Sequence, residues 1–112
     1  MTPITTHVLD TSIGRPAAEI LVQLFRIDGD QPLLIAASIT DQDGRASELG
    51  SEWELLRGRY RLHFEVASYF SAQGKPTFYP EVVIDFLIDD AHFHYHIPLL
   101  ISPFGYSTYR GS

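Results

Sequence analysis

The chain has 112 residues, 45% of them hydrophobic, with eight basic against fourteen acidic side chains and a formal net charge of −6. That length buries roughly two-thirds of its unfolded surface around one core, so residues 1–112 are read as a single domain. The acidic balance excludes nucleic acid, whose phosphates demand a basic face; no apolar run reaches the ~18 residues of a membrane span; and the lack of cysteine removes disulfides, thiolate metal sites and thiol nucleophiles together. Met1 leads within three residues into strand-like sequence, with no basic or apolar leader, so a cytoplasmic protein is expected.

The elements then read as strand after strand. Ile4 to Asp10 is a first strand, closed by a polar turn through Thr11, Ser12, Gly14 and Pro16. Ala18 to Ile27 is a second, ended by the turn signal Asp28-Gly29-Asp30. Leu33 to Thr40 is a third, followed by the loop Asp41-Gln42-Asp43-Gly44-Arg45 and a short strand near Ala46 to Leu49. From Arg59 to Val66, charged residues and His63 alternate strictly with Tyr60, Leu62, Phe64 and Val66, the mark of a half-buried strand. Ser68 is placed to cap a single helix over Tyr69 to Gln73, which Gly74 and Pro76 would stop. Glu81 to Ile88 and His92 to Ile101 are two further strands, and Gly105 to Arg110 an eighth. The expected fold is all-β: an antiparallel β-sandwich of about eight strands with one short helix.

Four places carry chemistry. Alternation sets His7 on one face of the first strand with Leu9, and Thr6, Val8 and Asp10 on the other. His7 is then either a partly exposed strand histidine or a general base, imidazole having its ordinary pKa nearest neutrality. Arg45 ends an Asp-Gly turn that is ordinary surface sequence, yet its planar fork suits an anionic or multi-carbonyl ligand. His92, His94 and His96 stand two apart and share a strand face. They could decorate the surface, complete an open zinc site, or leave His96 to act without metal. Pro98 on the same face cannot donate to a ladder, so this strand is expected at an edge or at a bulge. Lastly, Ser107-Thr108-Tyr109-Arg110-Gly111-Ser112 is a dense set of hydrogen-bonding groups where termini are usually tolerant. It is read as either a packed edge strand or a segment tucked into a site.

Several runs, in this order, resemble the transthyretin-related 5-hydroxyisourate hydrolases of urate degradation. They are Thr6-His7-Val8-Leu9-Asp10 with Gly14-Arg15-Pro16-Ala17, then Asp43-Gly44-Arg45, then Phe78-Tyr79-Pro80-Glu81-Val82. His94-Tyr95-His96-Ile97-Pro98-Leu99-Leu100, Ser102-Pro103-Phe104-Gly105-Tyr106-Ser107-Thr108 and Tyr109-Arg110-Gly111-Ser112 complete the match. Hormone-carrying transthyretins share the fold and part of the opening but not the Tyr-Arg-Gly-Ser ending. The resemblance implies a transthyretin-like sandwich in which His7, Arg45 and His96 are catalytic and Tyr109 and Ser112 hold substrate. It also implies a cofactor-free enzyme with no metal, hydrolysing 5-hydroxyisourate to 2-oxo-4-hydroxy-4-carboxy-5-ureidoimidazoline. The partners it implies are a small purine-derived substrate and a homotetramer, a dimer of dimers with sites where the dimers meet. Gln31 to Ala37, and Leu49 to Arg57 with the lone tryptophan, match no motif. A small-ligand carrier and a zinc hydrolase using the strand histidines remain the alternatives.

Overall fold

The computed structural model describes residues 4–46, 49, 56–90 and 94–111. In chain order the elements are β1 (Ile4–Asp10), β2 (Arg15–Pro16), β3 (Leu21–Asp28), β4 (Gln31–Ile39), β5 (Arg45–Ala46), β6 (Gly58–Glu65), α1 (Ala67–Ser71), β7 (Val82–Ile88), β8 (Tyr95–Ser102) and β9 (Gly105–Thr108). One sheet runs β2-β1-β8-β9, with β5 also paired to β1, and the other runs β4-β3-β6-β7. The expected sandwich with one short helix is therefore present. Its pairings are antiparallel except that β1 and β8 run parallel. The segment read as a plain turn after β1 holds the two-residue strand β2, because Leu9 and Asp10 find partners in Pro16 and Arg15.

The core lies between the sheets. Ile4, Val8, Leu99 and Ile101 from one meet Val22, Leu24, Tyr60, Leu62 and Phe64 from the other, all but fully buried. Each such side chain contributes about 1.5–3 kcal/mol by leaving water. The alternation in β1 is thus resolved: Ile4, Thr6, Val8 and Asp10 face inward, and Thr5, His7 and Leu9 face outward, half-buried.

The helix begins two residues earlier than the Ser68 cap predicts. The Ala67 N–H donates to the Pro80 carbonyl at 3.0 Å, so that donor is satisfied from outside and no side-chain cap is used. The helix also ends two residues earlier than expected, at Ser71, and leaves through a turn that Gly74 closes. Gly74 takes φ +68°, while Gly74 N–H and Lys75 N–H return to the Ser71 and Phe70 carbonyls. Phe70 plugs the core, and Tyr69 donates its hydroxyl to Asp10 Oδ2 at 2.8 Å. Asp10 is fully buried but also accepts from the backbone N–H and hydroxyl of Ser12. Burial and this carboxylate push the Tyr69 phenol up to about 12. The helix is therefore pinned to the end of β1.

Pro98 needs a correction. β8 lies inside its sheet, between β1 and β9, and is not an edge. The Pro98 carbonyl accepts from the Thr108 hydroxyl at 2.6 Å, and the His96 carbonyl accepts from Gly111 N–H. Both residues therefore turn their backbone groups toward β9, and the missing Pro98 N–H costs only that ladder. The ladder lapses after Thr108 and closes again at the His96–Gly111 bridge.

Candidate functional site on the outer face of the first sheet

Three strands bring the predicted residues to one face. His7 sits at the middle of β1, and Arg45 of β5 is its direct cross-strand partner. That pairing depends on the preceding loop. Asp41 Oδ1 accepts from the Asp43 and Arg45 N–H groups at 2.9 and 3.0 Å, which folds the turn. Gly44 then takes φ +76° and passes its carbonyl to Val8 N–H at 2.8 Å. A Cβ there would lie 2.3 Å from the Val8 carbonyl oxygen, so only glycine permits the approach. The Asp-Gly-Arg run is a clamp against β1.

His96 enters from β8, where it is half-buried and registered with Thr5. Its Nδ1 lies 2.9 Å from the Thr5 hydroxyl, which also lies 3.0 Å from Nε2 of exposed His94. The two imidazoles stack with centroids 6.4 Å apart and planes 20° from parallel. Burial foremost, then the positive charge of Arg45, His94 and His7, holds the His96 ring below the ordinary histidine value, against a hydrogen bond to the Thr5 backbone. The neutral ring of His96 is thus favoured, and it lies within electrostatic reach of the other three groups.

The tail closes the fourth side. The Leu99–Thr108 and His96–Gly111 pairings share one register, so Tyr109 falls opposite Pro98. Gly111 lies on the His96 ring: a Cβ there would come 2.6 Å from Cδ2. Arg110 turns the other way, its guanidinium carbon 4.7 Å above the centre of the Tyr95 ring. The Tyr95 hydroxyl is in turn held by Asp89 and Asp90. Tyr109 stays 60% exposed. Ser112, the other predicted substrate residue, and His92 lie outside the described residues.

His7, Arg45 and His96 thus converge. Neither the His7 ring nor the Arg45 guanidinium has a hydrogen-bonding partner among the described residues, and the only ring nitrogen of His96 engaged is Nδ1. On the other sheet some residues of the same types are occupied: Arg59 and Arg61 grip Asp85, and His63 meets Glu81. Unspent donors and acceptors gathered on a rigid sheet can position a flat polar molecule and move a proton to or from it. For zinc the arrangement is poor. The two described strand histidines both turn to Thr5, and among the described residues no group of three His, Asp or Glu could hold a metal. Sequence reading missed Thr5, Gly44, Arg110 and Gly111. The period-two rule that singled out His7 also places Thr5 on its face, which was the available signal.

Comparison with known proteins bears on the choice between enzyme and carrier. The HIUase/Transthyretin family matches residues 4–111. A 5-hydroxyisourate hydrolase of Caulobacter vibrioides is 47% identical over 116 aligned residues, covering both chains completely. One from Deinococcus radiodurans is 44% identical, over 97% of this chain and 95% of the other. Among solved structures, Klebsiella pneumoniae 5-hydroxyisourate hydrolase superposes with a TM-score of 0.84 at 39% identity, covering 97% of this chain and 98% of its own. Sea bream transthyretin in complex with thyroxine reaches 0.91 at 30% identity, covering 97% and 94%. Backbone likeness alone therefore does not separate the two classes. The relatives at 44–47% identity over nearly the whole chain are 5-hydroxyisourate hydrolases, which favours the enzyme.

Proposed function

Because this chain belongs to the HIUase/Transthyretin family, we propose that it hydrolyses 5-hydroxyisourate on the outer face of its first sheet, over the domain spanning residues 1–112. The observation that carries this reading is the convergence of His7, Arg45 and His96, with the His7 ring, the Arg45 guanidinium and Nε2 of His96 uncommitted among the described residues. The substrate is a flat oxidised purine, and its six-membered ring opens at an amide-like bond. Water held between His7 and His96 loses a proton to an imidazole as it attacks the carbonyl carbon. Arg45 aims its fork at the carbonyl oxygen, where negative charge develops. Tyr109 orients the ring, and Ser112 belongs to the same set by the family resemblance. Positioning of this kind lowers a barrier by several kcal/mol. The product is 2-oxo-4-hydroxy-4-carboxy-5-ureidoimidazoline.

No cofactor enters this scheme. A thyroxine-type carrier is favoured by backbone similarity alone, whereas the relatives at 44–47% identity are 5-hydroxyisourate hydrolases.

The site is a shallow face, so water exclusion calls for a second copy over it. The same proposal therefore includes a homotetramer, a dimer of dimers of 12.6 kDa chains, with sites at the dimer–dimer contact. It also places the enzyme in the cytoplasm, in keeping with a chain free of cysteine. Two measurements test the proposal. The protein should accelerate the near-UV absorbance loss of 5-hydroxyisourate generated in situ from urate, and light scattering should give four chains per particle. Decay at the spontaneous rate would refute the activity; a fully active monomer would refute the shared site.

A further inference from the structure

The hydrolytic scheme leaves one arrangement on this face unused. The Thr5 hydroxyl touches two imidazoles at once, Nδ1 of His96 at 2.9 Å and Nε2 of His94 at 3.0 Å. A hydroxyl has one proton to donate and lone pairs with which to accept. Between two ring nitrogens it accepts from one and donates to the other, so the tautomers of the two histidines are tied together. The rings differ in setting. His96 is half-buried under Gly111, and His94 is exposed. Building on the hydrolytic reading of the site, we propose that His96, Thr5 and His94 form a proton relay that carries positive charge from the centre of the site to a solvated ring.

The relay answers an electrostatic problem. A proton arriving on His96 is opposed by burial and by Arg45 from β5, His94 from its own strand and His7 from β1, and is favoured only by a hydrogen bond to the Thr5 backbone. Charge parked on exposed His94 keeps its hydration, whereas charge left on half-buried His96 does not.

The steps balance. At rest His96 Nδ1–H donates to Thr5 Oγ1, and the Thr5 hydroxyl donates to His94 Nε2, leaving the His96 Nε2 lone pair for the attacking water. As Nε2 takes the water proton and hydroxide bonds to the carbonyl carbon, the Nδ1 proton passes to Thr5 and the Thr5 proton to His94. His96 is then neutral and carries its hydrogen on Nε2. As the ring C–N bond breaks, that hydrogen passes to the departing nitrogen. In the same step the protons return from His94 through Thr5 to Nδ1, so His96 never becomes an imidazolate. Every group ends as it began. Thr5 and His94 act through His96 and touch no substrate.

Ring-labelled 15N NMR with kinetics tests the relay. In the parent, His96 should show the Nδ1–H tautomer and titrate in concert with His94. Thr5→Val removes the hydroxyl but keeps the β-branch; it should uncouple the two titrations and mix the His96 tautomers, and Thr5→Ser should restore both. Turnover should fall about tenfold in Thr5→Val and in His94→Phe with KM little changed, a small part of the ~100–10,000-fold that acid–base catalysis supplies, and recover in Thr5→Ser. His94 is exposed, so His94→Phe reads the relay even where Thr5→Val disturbs the sheet. Independent titrations in the parent, or parent turnover in both Thr5→Val and His94→Phe, would overturn the proposal. A protein with coupled titrations but no action on 5-hydroxyisourate would refute the hydrolase reading while upholding the relay.

Discussion

Gly111→Ala perturbs the site through one added methyl group. The new Cβ would stand 2.6 Å from His96 Cδ2 and 3.3 Å from both His96 Cγ and Pro98 Cγ. An unstrained carbon–carbon contact needs about 3.5 Å, so the ring or the tail must retreat by roughly 0.9 Å. His96 is held on its other side by Thr5, and Pro98 is buried. The tail, exposed and attached here by one bridge, moves more easily. Either way His96 and Tyr109 part, and a misplacement near 1 Å can cost about 100-fold in rate. Stability should change little, since what is lost is one edge hydrogen bond worth about 1 kcal/mol. Initial rates from the absorbance loss of 5-hydroxyisourate, beside thermal melts, give both numbers. A variant within about threefold of the parent, with the same melting temperature, would show that the tail does not set the catalytic geometry.

Arg45→Lys keeps the charge but not the fork, and should lose about 100–1000-fold in turnover with the fold intact; near-parent rates would return Arg45 to the surface. Tyr109→Phe removes one hydroxyl worth ~0.5–1.5 kcal/mol and should weaken turnover or affinity by up to about tenfold, with unchanged melting. His96 is held below its ordinary value by burial and neighbouring cations, so kcat/KM should stay flat at neutrality and fall only as pH drops below about 6.5. The sign for folding agrees: in that window the unfolded chain binds the proton first, so His96 lowers stability on acidification and changes nothing above it. NMR titration checks this, and a His96 midpoint above 6.5 would refute it. Phe70→Ala should destabilise by about 3–5 kcal/mol in denaturant melts, because Phe70 is fully buried in the core.

Much of the sandwich was legible because its strands carry one wet face. Arg59 to Val66 alternates so strictly that burial of Tyr60, Leu62 and Phe64 follows from period two alone, whereas in Ile4 to Asp10 the outward Leu9 and inward Asp10 left the buried face open. Boundaries slipped wherever a partner outside the segment decided them. Ala67 joins the helix because Pro80 accepts its N–H, and Gln31 joins β4 because the hairpin at Gly29 and Asp30 pairs it with Asp28. The parallel β1–β8 pairing was not legible, since strand direction leaves no mark on alternation. Of the site, His7, Arg45 and His96 were visible as residue types, but neighbourhood came only with register. Nothing local says that Arg45 faces His7; the close approach of Gly44 to Val8 does.

Pro98 shows how one missing donor can shape a site. With an N–H at this position, β9 could continue in register to Gly111, with Tyr109 and Arg110 as ordinary ladder residues. Instead the pairing stops at Thr108, whose hydroxyl takes the Pro98 carbonyl. Over two residues the backbone is released. Arg110 uses the release to lay its guanidinium over Tyr95, which ties the tail to the core side. Tyr109, alternating with it, is left on the outer face. At Gly111 the chain returns to β8, and the lack of a side chain lets it rest on the His96 ring. Transthyretin and the hydrolases share this backbone to within TM-scores of 0.84 to 0.92, so the difference between carrying and hydrolysing has to lie at this level. It lies in which side chains the registers bring together and which of their polar atoms the fold leaves unused.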